Sequence, residues 1–190
     1  MLIEIINEYL VNRPRDKRRI HCFHPSSLHK SAQYLYRAYF DGNDNQDFDA
    51  RIYRIFDNGH AVHERLQKYL NDTGVLVEAE VSVENEEYEI VGTCDGIIQI
   101  DAKQGVLEIK SINSNGFYSL HEPKPEHQIQ LNVYMFCLDI PQGCILYECK
   151  DNQELREFYL KQDSNVLNPV LEKIRYVQGC IRHGKEPKPN

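Results

Sequence analysis

The hydrophobic pattern of the chain changes from helical to alternating near residue 72. Within the segment 48–71, apolar positions recur every three or four residues, at Ile52, Ile55, Phe56, Gly59, Val62, Leu66 and Leu70. This spacing predicts a helix with one apolar face. From residue 75 onward the period is two, with Val75, Val77, Ala79, Val81 and Val83 on one face. Alternation of this kind predicts a strand, so helices are expected to pack against a sheet.

The remaining patterns extend this division. Further helices are predicted over 1–11, from Ser26 or Ser27 after Pro25, over 125–139 and over 165–182, with a loop at 41–45. Strands are predicted over 88–100, 106–112, 143–149 and 154–161. The order is helices, a three-stranded meander, a helix, a strand pair and a helix, which favours an α/β or α+β fold. Without a linker or repeat, we expect a single domain, 1–190, whose first 71 residues or so are helical.

Composition limits the class of protein. No apolar run reaches the roughly 20 residues that cross a bilayer, and the N-terminus has no pattern of a secretory signal. The six cysteines contain no Cys-x-x-Cys pair, which favours free thiols and a cytoplasmic protein. The net charge of −7 argues against nucleic-acid binding, yet the run from Arg13 to Arg19 carries five positive charges. That run is either a solvated loop or a DNA contact.

In the hairpin predicted for residues 88–112, three charged residues are flanked by apolar ones, namely Ile97, Ile98, Ile100, Val106, Leu107 and Ile109. Asp95 is on its first strand, whereas Glu108 and Lys110 are on its second. Antiparallel pairing places Asp95 opposite the stretch 108–111. Glu108 and Lys110 are two positions apart and therefore share one face. The sequence predicts that the three charges meet.

Burial of two carboxylates and an ammonium group is costly unless something compensates their charge. A divalent cation would do so, because carboxylate oxygens are its preferred ligands. A salt bridge at the end of the sheet would also do so. The three charged residues alone leave both interpretations open.

The arrangement of Asp95 on one strand and Glu108-Ile109-Lys110 on its hairpin partner resembles the PD-(D/E)XK nuclease superfamily. Two accessory motifs resemble its RecB-like branch. One is Gly-x-x-x-His on the helix before the sheet, and the other is Gln-x-x-x-Tyr on the helix after it. They correspond here to Gly59 with His63 and to Gln130 with Tyr134. The resemblance covers about residues 59–134 and implies a restriction-endonuclease-like core, a central mixed sheet flanked by helices.

Helical periodicity distinguishes between the two histidines of the first motif. His63 falls near the middle of the apolar stripe, whereas His60 lies toward its edge. His63 is therefore a candidate metal ligand or, alternatively, a core histidine. Gln130 and Tyr134 lie one helical turn apart on one face, where they either line the site or only pack.

The resemblance also implies a mechanism. Asp95 and Glu108, with His63 and the carbonyl of Ile109, would hold one or two Mg²⁺ or Mn²⁺ ions. Lys110 would orient or deprotonate the attacking water and offset charge in the transition state. Gln130 and Tyr134 would position the substrate or Lys110. Glu80, one strand earlier, either assists this cluster or is only an exposed strand residue.

Several RecB-like nucleases hold an iron–sulfur cluster with cysteines near both ends of the chain. The stretch 24–31 resembles their N-terminal cysteine region, but Ser31 occupies the place of the cysteine. Cys180 is alone near the C-terminus. No iron–sulfur cluster is therefore expected.

The implied function is a metal-dependent DNA nuclease, in the first place an exonuclease of recombination, repair or phage replication. Its partner would be single-stranded DNA or duplex ends, without a membrane, and with recombination or replication proteins as further partners. A structure-selective or nicking endonuclease is the second interpretation. The third is a catalytically silent DNA-binding subunit, against which the intact set of Asp95, Glu108 and Lys110 argues.

Overall fold

The computed structural model describes residues 1–14, 19–41, 48–100 and 102–188. The helices are α1 (Leu2–Asn12), α2 (Ala32–Asp41), α3 (Ala50–Asp72), α4 (Ser114–Tyr118), α5 (Pro125–Leu138) and α6 (Ser164–Arg182). The strands are β1 (Leu76–Asn85), β2 (Ile90–Ile100), β3 (Lys103–Ile112), β4 (Gln142–Cys149) and β5 (Leu155–Lys161). A short 3-10 helix, Pro25–Ser27, precedes α2.

The five strands form one sheet in the order β1-β2-β3-β4-β5. Strands β1, β2 and β3 are an antiparallel meander, and β4 pairs antiparallel with β5. The central pair, β3 and β4, is parallel because α5 carries the chain back across the sheet between them. This mixed sheet flanked by helices confirms the predicted α/β class with a restriction-endonuclease-like core.

Helices cover both faces of the sheet. On one face, Val62 and Leu66 of α3 pack on Leu107 and Ile109 of β3. On the other face, α5 packs on the sheet around Leu131. Helices α2 and α6 add an outer layer that joins α5 through a second cluster, which includes Leu35, Val133, Leu171 and Ile174. β3 is thus enclosed from both sides, as a central strand next to a parallel partner requires.

The prediction that α2 begins at Ser26 or Ser27 is wrong. Those serines belong to the 3-10 helix, and α2 begins at Ala32. The backbone N–H of Tyr34 donates to Ser31 Oγ at 3.2 Å, so Ser31 provides the N-cap. Several serines precede this helix, and the tertiary position of the 3-10 helix against α5 decides which of them caps it.

The predicted alternation of β1 is also partly wrong. Val77 is 51% exposed, whereas Leu76, assigned to the polar face, is buried. The pairing with β2 shifts register between Leu76 and Glu78, and such a shift moves the following side chains to the opposite face. Val83, beyond this region, is buried as predicted.

Other differences concern the ends of elements. Strand β2 begins at Ile90 and not at 88. Strand β3 begins at Lys103 and not at 106, because the β2–β3 ladder extends to the pair Ile100 and Lys103. Helix α4 was not predicted. Of the predicted loop 41–45, Asp41 is the last residue of α2, and the rest lies outside the described residues.

The basic run is described only at its two ends, since residues 15–18 lie outside the described part. Arg13 forms two hydrogen bonds with the carboxylate of Asp57, at 2.6 and 2.9 Å. Arg19 donates to Glu84 at 2.6 Å. Both described arginines are therefore neutralised by carboxylates of this chain.

No helix in the described ranges is long and apolar enough to cross a membrane. One helix nevertheless leaves apolar side chains uncovered: α1 packs on α3, yet Leu2, Ile3 and Ile5 are 78%, 73% and 62% exposed.

Close packing at the parallel pair leads to a stability prediction. A Cβ at Gly143 of β4 would lie 2.7 Å from the carbonyl oxygen of Val106 and 2.9 Å from Leu131 Cδ1. Gly143→Ala is expected to lower the free energy of unfolding by about 1–3 kcal/mol, measured by urea denaturation, because the backbone of β3 must move. Gly105→Ala is the matched control, since its Cβ would meet no atom closer than 3.6 Å. Equal denaturation midpoints for the two variants would contradict this account.

Candidate active site

The site forms where β2 and β3 separate. Their ladder ends at the pair Gly96 and Leu107, whereas β3 stays paired with β4 as far as Ile112. The next residues, Asp95 on β2 and Glu108 on β3, therefore lie where the sheet opens into a fork. Helices α3 and α5 approach this fork from opposite faces of the sheet.

Asp95 spans the fork. Its Oδ2 accepts a hydrogen bond from the backbone N–H of Ile109 at 2.5 Å. Its Oδ1 lies 3.0 Å from Nδ1 of His63 on α3. The carboxylate thus replaces the missing backbone ladder with a side-chain bond to β3. Because the N–H and C=O of one strand residue point toward the same neighbour, the Ile109 carbonyl faces the same gap.

Glu108 and Lys110 form an ion pair next to Asp95. Lys110 Nζ lies 2.5 Å from Glu108 Oε1, and the two side chains are 21% and 3% exposed. The carboxylate is therefore enclosed, whereas the ammonium group reaches solvent. In the neighbouring pair, the Asp95 side chain is 13% exposed and the His63 side chain 26%, so His63 lies closer to solvent. A solvent-borne ligand can reach the site along the side formed by His63 and Lys110.

Helix α5 joins the site through a chain of hydrogen bonds. Lys110 Nζ donates to Gln130 Oε1 at 3.0 Å, and Gln130 Nε2 donates to the Tyr134 hydroxyl at 3.3 Å. The hydroxyl in turn donates to the carbonyl of Thr93 on β2 at 2.8 Å. Gln130 and Tyr134 are 7% and 3% exposed, so most of this chain is buried. It fixes the position of the Lys110 ammonium group relative to β2.

The enclosed carboxylate has a perturbed pKa. Burial raises the pKa of Glu108 to about 7 against the opposing charge of Lys110, and the neighbouring Asp95 raises it further. For His63, burial favours the neutral ring, but the hydrogen bond and charge of Asp95 outweigh burial and raise its pKa. Glu108 and His63 therefore hold their protons more tightly than the same side chains do in water.

The structure adds Gln67 to the residues that sequence analysis singled out. Gln67 is 8% exposed, and its Nε2 donates to the backbone carbonyl of Asp95 at 2.8 Å and to Glu80 Oε1 at 2.6 Å. It lies one helical turn after His63, and that spacing was the signal that could have identified it. Glu80 is exposed, and its carboxylate contacts Gln67.

A histidine on α5 borders the same network. His127 Nδ1 lies 2.7 Å from the hydroxyl of the buried Tyr147. Burial lowers the pKa of His127 to about 4, and the charge of Lys110 lowers it further. His127 is therefore neutral near pH 7. Neither the hydrophobic period nor a motif singles out His127 in the sequence.

The donor chemistry at the fork matches a hard divalent cation. Two carboxylates and a backbone carbonyl are oxygen ligands, and the imidazole of His63 supplies nitrogen. Within 1–14, 19–41, 48–100 and 102–188, however, no three His, Cys, Asp or Glu side chains are already grouped to hold an ion. Glu108 contacts Lys110, and His63 contacts Asp95. An ion would therefore replace these contacts.

Comparisons with known proteins bear on the fold. No protein-family model matches the chain, and no curated protein matches its sequence. Among solved structures, an alkaline exonuclease from Laribacter hongkongensis, LHK-Exo, is similar over 95% of this chain and 93% of its own, with 15% identity and a TM-score of 0.67. Its complex with dAMP gives 93% of each chain, 14% identity and a TM-score of 0.63.

Two other solved structures are similar in the same way. SSO0001 covers 94% of this chain and 87% of its own, at 19% identity and a TM-score of 0.60. A phage-related exonuclease from Haemophilus somnus 129PT covers 88% of this chain and 98% of its own, at 15% identity and a TM-score of 0.61. At these identities the likeness establishes a shared fold, one that exonucleases use.

The raised pKa values lead to a prediction for the metal-free protein. Glu108 keeps its proton to about pH 7 when folded, against 4.5 as its ordinary value. Between pH 4.5 and about pH 7, Glu108 is therefore protonated in the folded state but ionised in the unfolded state. The free energy of unfolding falls as pH rises through this window. His63, with its pKa raised above 6.5, adds stability at low pH that is lost as pH rises through the folded value.

In the presence of a chelator, the Tm of the wild-type protein is therefore expected to fall between about pH 5 and pH 8. Glu108→Gln removes the titrating carboxyl and should flatten this profile, as thermal denaturation at several pH values will show. Identical pH profiles for Glu108→Gln and wild type would refute the assigned pKa.

Proposed function

We propose that the chain is a metal-dependent nuclease that hydrolyses DNA phosphodiester bonds, with exonuclease action as the leading form. The observation that carries the proposal is the meeting of Asp95, Glu108 and Lys110 at the β2–β3 fork, with His63 against Asp95. Two of the structurally similar proteins support it, since both are named exonucleases and one of them was solved with dAMP. dAMP is a nucleotide, which supports DNA as the substrate class.

We assign the metal ligands to Asp95, Glu108, His63 and the carbonyl of Ile109. When bound there, Mg²⁺ or Mn²⁺ supplies Lewis-acid polarisation of the phosphate and lowers the pKa of a bound water. Asp95 is held in place for this role by the N–H of Ile109. The enclosure of Glu108 keeps bulk water away from the charged groups and so strengthens their interactions with a substrate.

Lys110 supplies a positioned positive charge at the site. Its ammonium group is held between Glu108 and Gln130 while remaining 21% exposed. From this position it donates to the attacking water or to a phosphate oxygen, and it offsets the charge that develops in the transition state. Gln130 acts as a positioning residue, because Tyr134 fixes its amide group.

An open cavity beside this network provides room for the substrate. It has a volume of about 570 Å³ and is bordered by Thr93, Gln130, Tyr134 and the 3-10 helix at Pro25. Its size allows a nucleotide to lie next to Gln130, the hydrogen-bond partner of Lys110. The cavity is on the α5 side of the fork, so a substrate strand would approach Lys110 from that side.

Removal of the Lys110 ammonium group tests the proposal. Lys110→Ala is expected to reduce cleavage of DNA by about 100-fold or more, because a transition-state charge interaction is lost. Cleavage is measured with Mg²⁺ and with Mn²⁺ on end-labelled single-stranded, duplex and circular DNA, and metal binding is measured separately by calorimetry. Lys103→Ala, an exposed lysine at the start of β3, is the matched control.

The outcomes separate the alternatives. Cleavage by Lys110→Ala at the wild-type rate would overturn the assignment. Cleavage of covalently closed circles by the wild-type protein would favour an endonuclease. Absence of cleavage with either ion, together with DNA binding, would favour a silent DNA-binding subunit.

The positioning role of Gln130 gives a second prediction. Gln130→Leu removes the acceptor for Lys110 and is expected to lower kcat by about 10–100-fold, as is typical of residues that orient a site. Its pH–rate profile should shift because Lys110 keeps only Glu108 as a partner. Asn132→Asp, on the same helix, is not a suitable control because Asn132 Oδ1 accepts the backbone N–H of Asp163 at 2.7 Å. Gln162→Leu, at an exposed glutamine after β5, serves instead, and an unchanged rate for Gln130→Leu would contradict the role.

A further inference from the structure

A second cavity lies on the α3 side of the fork. Its volume is about 320 Å³, and it lies between the N-terminal half of α3, the end of β3 and the turn after β4. Its walls include Gly59, one helical turn before His63, and Ser111, the residue after Lys110. It therefore begins where the candidate active site ends, on the side of the sheet away from Gln130 and Tyr134.

The charge of this cavity is positive. Arg51, Arg54 and Lys150 border it, and all three are exposed. Among the described residues, no carboxylate forms an ion pair with any of them; Arg54 Nη1 donates to the neutral side chain of Asn7 at 2.7 Å. The nearby carboxylate of Asp151 accepts from the backbone N–H of Ser114 at 2.7 Å. An anion in the cavity would therefore meet cations without bound counter-charges.

The wall contributes a hydroxyl group without a partner. Ser111 Oγ is buried and, among the described residues, makes no hydrogen bond. It lies on the α3 side of β3, since Ile109, two positions earlier, packs on α3. A buried hydroxyl without a hydrogen bond costs free energy, so such groups are uncommon in folded proteins. Rotation of the Ser111 side chain toward the cavity that the residue borders would let an oxygen of a bound anion satisfy it.

Gly59 widens the cavity at its inner end. A glycine inside a helix costs about 1 kcal/mol relative to alanine. Here neither packing nor backbone conformation requires one, because a Cβ at this position would meet no atom within 4 Å and φ is not positive. The effect of the glycine is to leave the backbone of α3 bare toward the cavity, where another chain can approach closely.

We propose that this cavity binds a backbone phosphate of the nucleic-acid substrate, one adjacent to the phosphate that is cleaved. This inference rests on the proposed function. Two guanidinium groups and an ammonium group match a phosphodiester, which arginine binds in a bidentate manner. The cavity and the larger one near Tyr134 lie on opposite sides of the fork, so a strand can cross Lys110 and keep a phosphate in each.

The first test compares two substrates. Arg51→Ala combined with Lys150→Ala removes two exposed cations and leaves the fork residues unchanged. With end-labelled DNA, KM is expected to rise about 10-fold or more, whereas kcat/KM for thymidine 5′-monophosphate p-nitrophenyl ester should change less than about two-fold. That ester has a single phosphodiester and does not extend into the cavity. Equal losses on both substrates, or no loss on DNA, would overturn the proposal.

The second test does not depend on catalysis. DNA binding is measured in EDTA by fluorescence anisotropy at several salt concentrations. The double variant should lower the slope of log K against log salt by about one for each lost phosphate contact. Arg182→Ala on α6 has the same charge change per residue and should leave the slope unchanged. If the wild-type protein hydrolyses neither substrate, the proposed function fails, and an unchanged slope would then refute the phosphate site independently.

A third variant tests the uncharged part of the cavity lining at Gly59. Gly59→Leu places a side chain in open space and is expected to fill part of the cavity without unfolding α3. It should raise KM for DNA and spare the ester, and a Tm equal to or above the wild-type value will show that the fold is intact. Unchanged KM for DNA in a folded Gly59→Leu variant would contradict the proposal.

Discussion

The hydrogen bond from the Ile109 N–H to the Asp95 carboxylate is the interaction on which the rest of the site depends. The β2–β3 ladder stops one residue earlier, and without this bond the N–H of a buried central strand would have no partner on that side. The carboxylate satisfies it and thereby holds the fork at a fixed width. His63 from α3 and the Lys110–Gln130 pair from the α5 side then meet across that opening.

The fork also explains why the charges tolerate burial. Each charged group has a partner: Asp95 contacts α3 and β3, whereas Lys110 contacts Glu108 on its own strand and Gln130 on α5. Glu108, the most enclosed, has a raised pKa and contacts the ammonium group of Lys110. Such a cluster is stable while protons or a cation balance its carboxylates. Because a cation can balance the carboxylates, binding of a divalent ion should stabilise the folded protein. The stability of the protein is thereby connected with the proposed chemistry.

Local patterns in the sequence were sufficient to predict the apolar face of α3, the meander, and the meeting of Asp95 with Glu108 and Lys110. They could not give the parallel pairing of β3 with β4, since the family resemblance implied only a mixed sheet, and they could not give the cap at Ser31. The register shift in β1 was hidden because valines at 75–83 fit a regular strand equally well. Gln67 and Ser111 became visible only through burial and hydrogen bonding.

The parallel pairing of β3 with β4 has a consequence for the order in which the molecule assembles. The meander β1-β2-β3 joins neighbouring segments, so Asp95, Glu108 and Lys110 can meet early during folding. Lys110, however, pairs with Tyr147 across the parallel ladder, and that contact must await the crossing of α5. Contacts between distant parts of a chain form slowly, because loop closure costs entropy before the contact is made. We therefore expect the local contacts of the fork to form before α5 brings Gln130 to it, so that the charges cluster before the hydrogen bond to Gln130 orients Lys110.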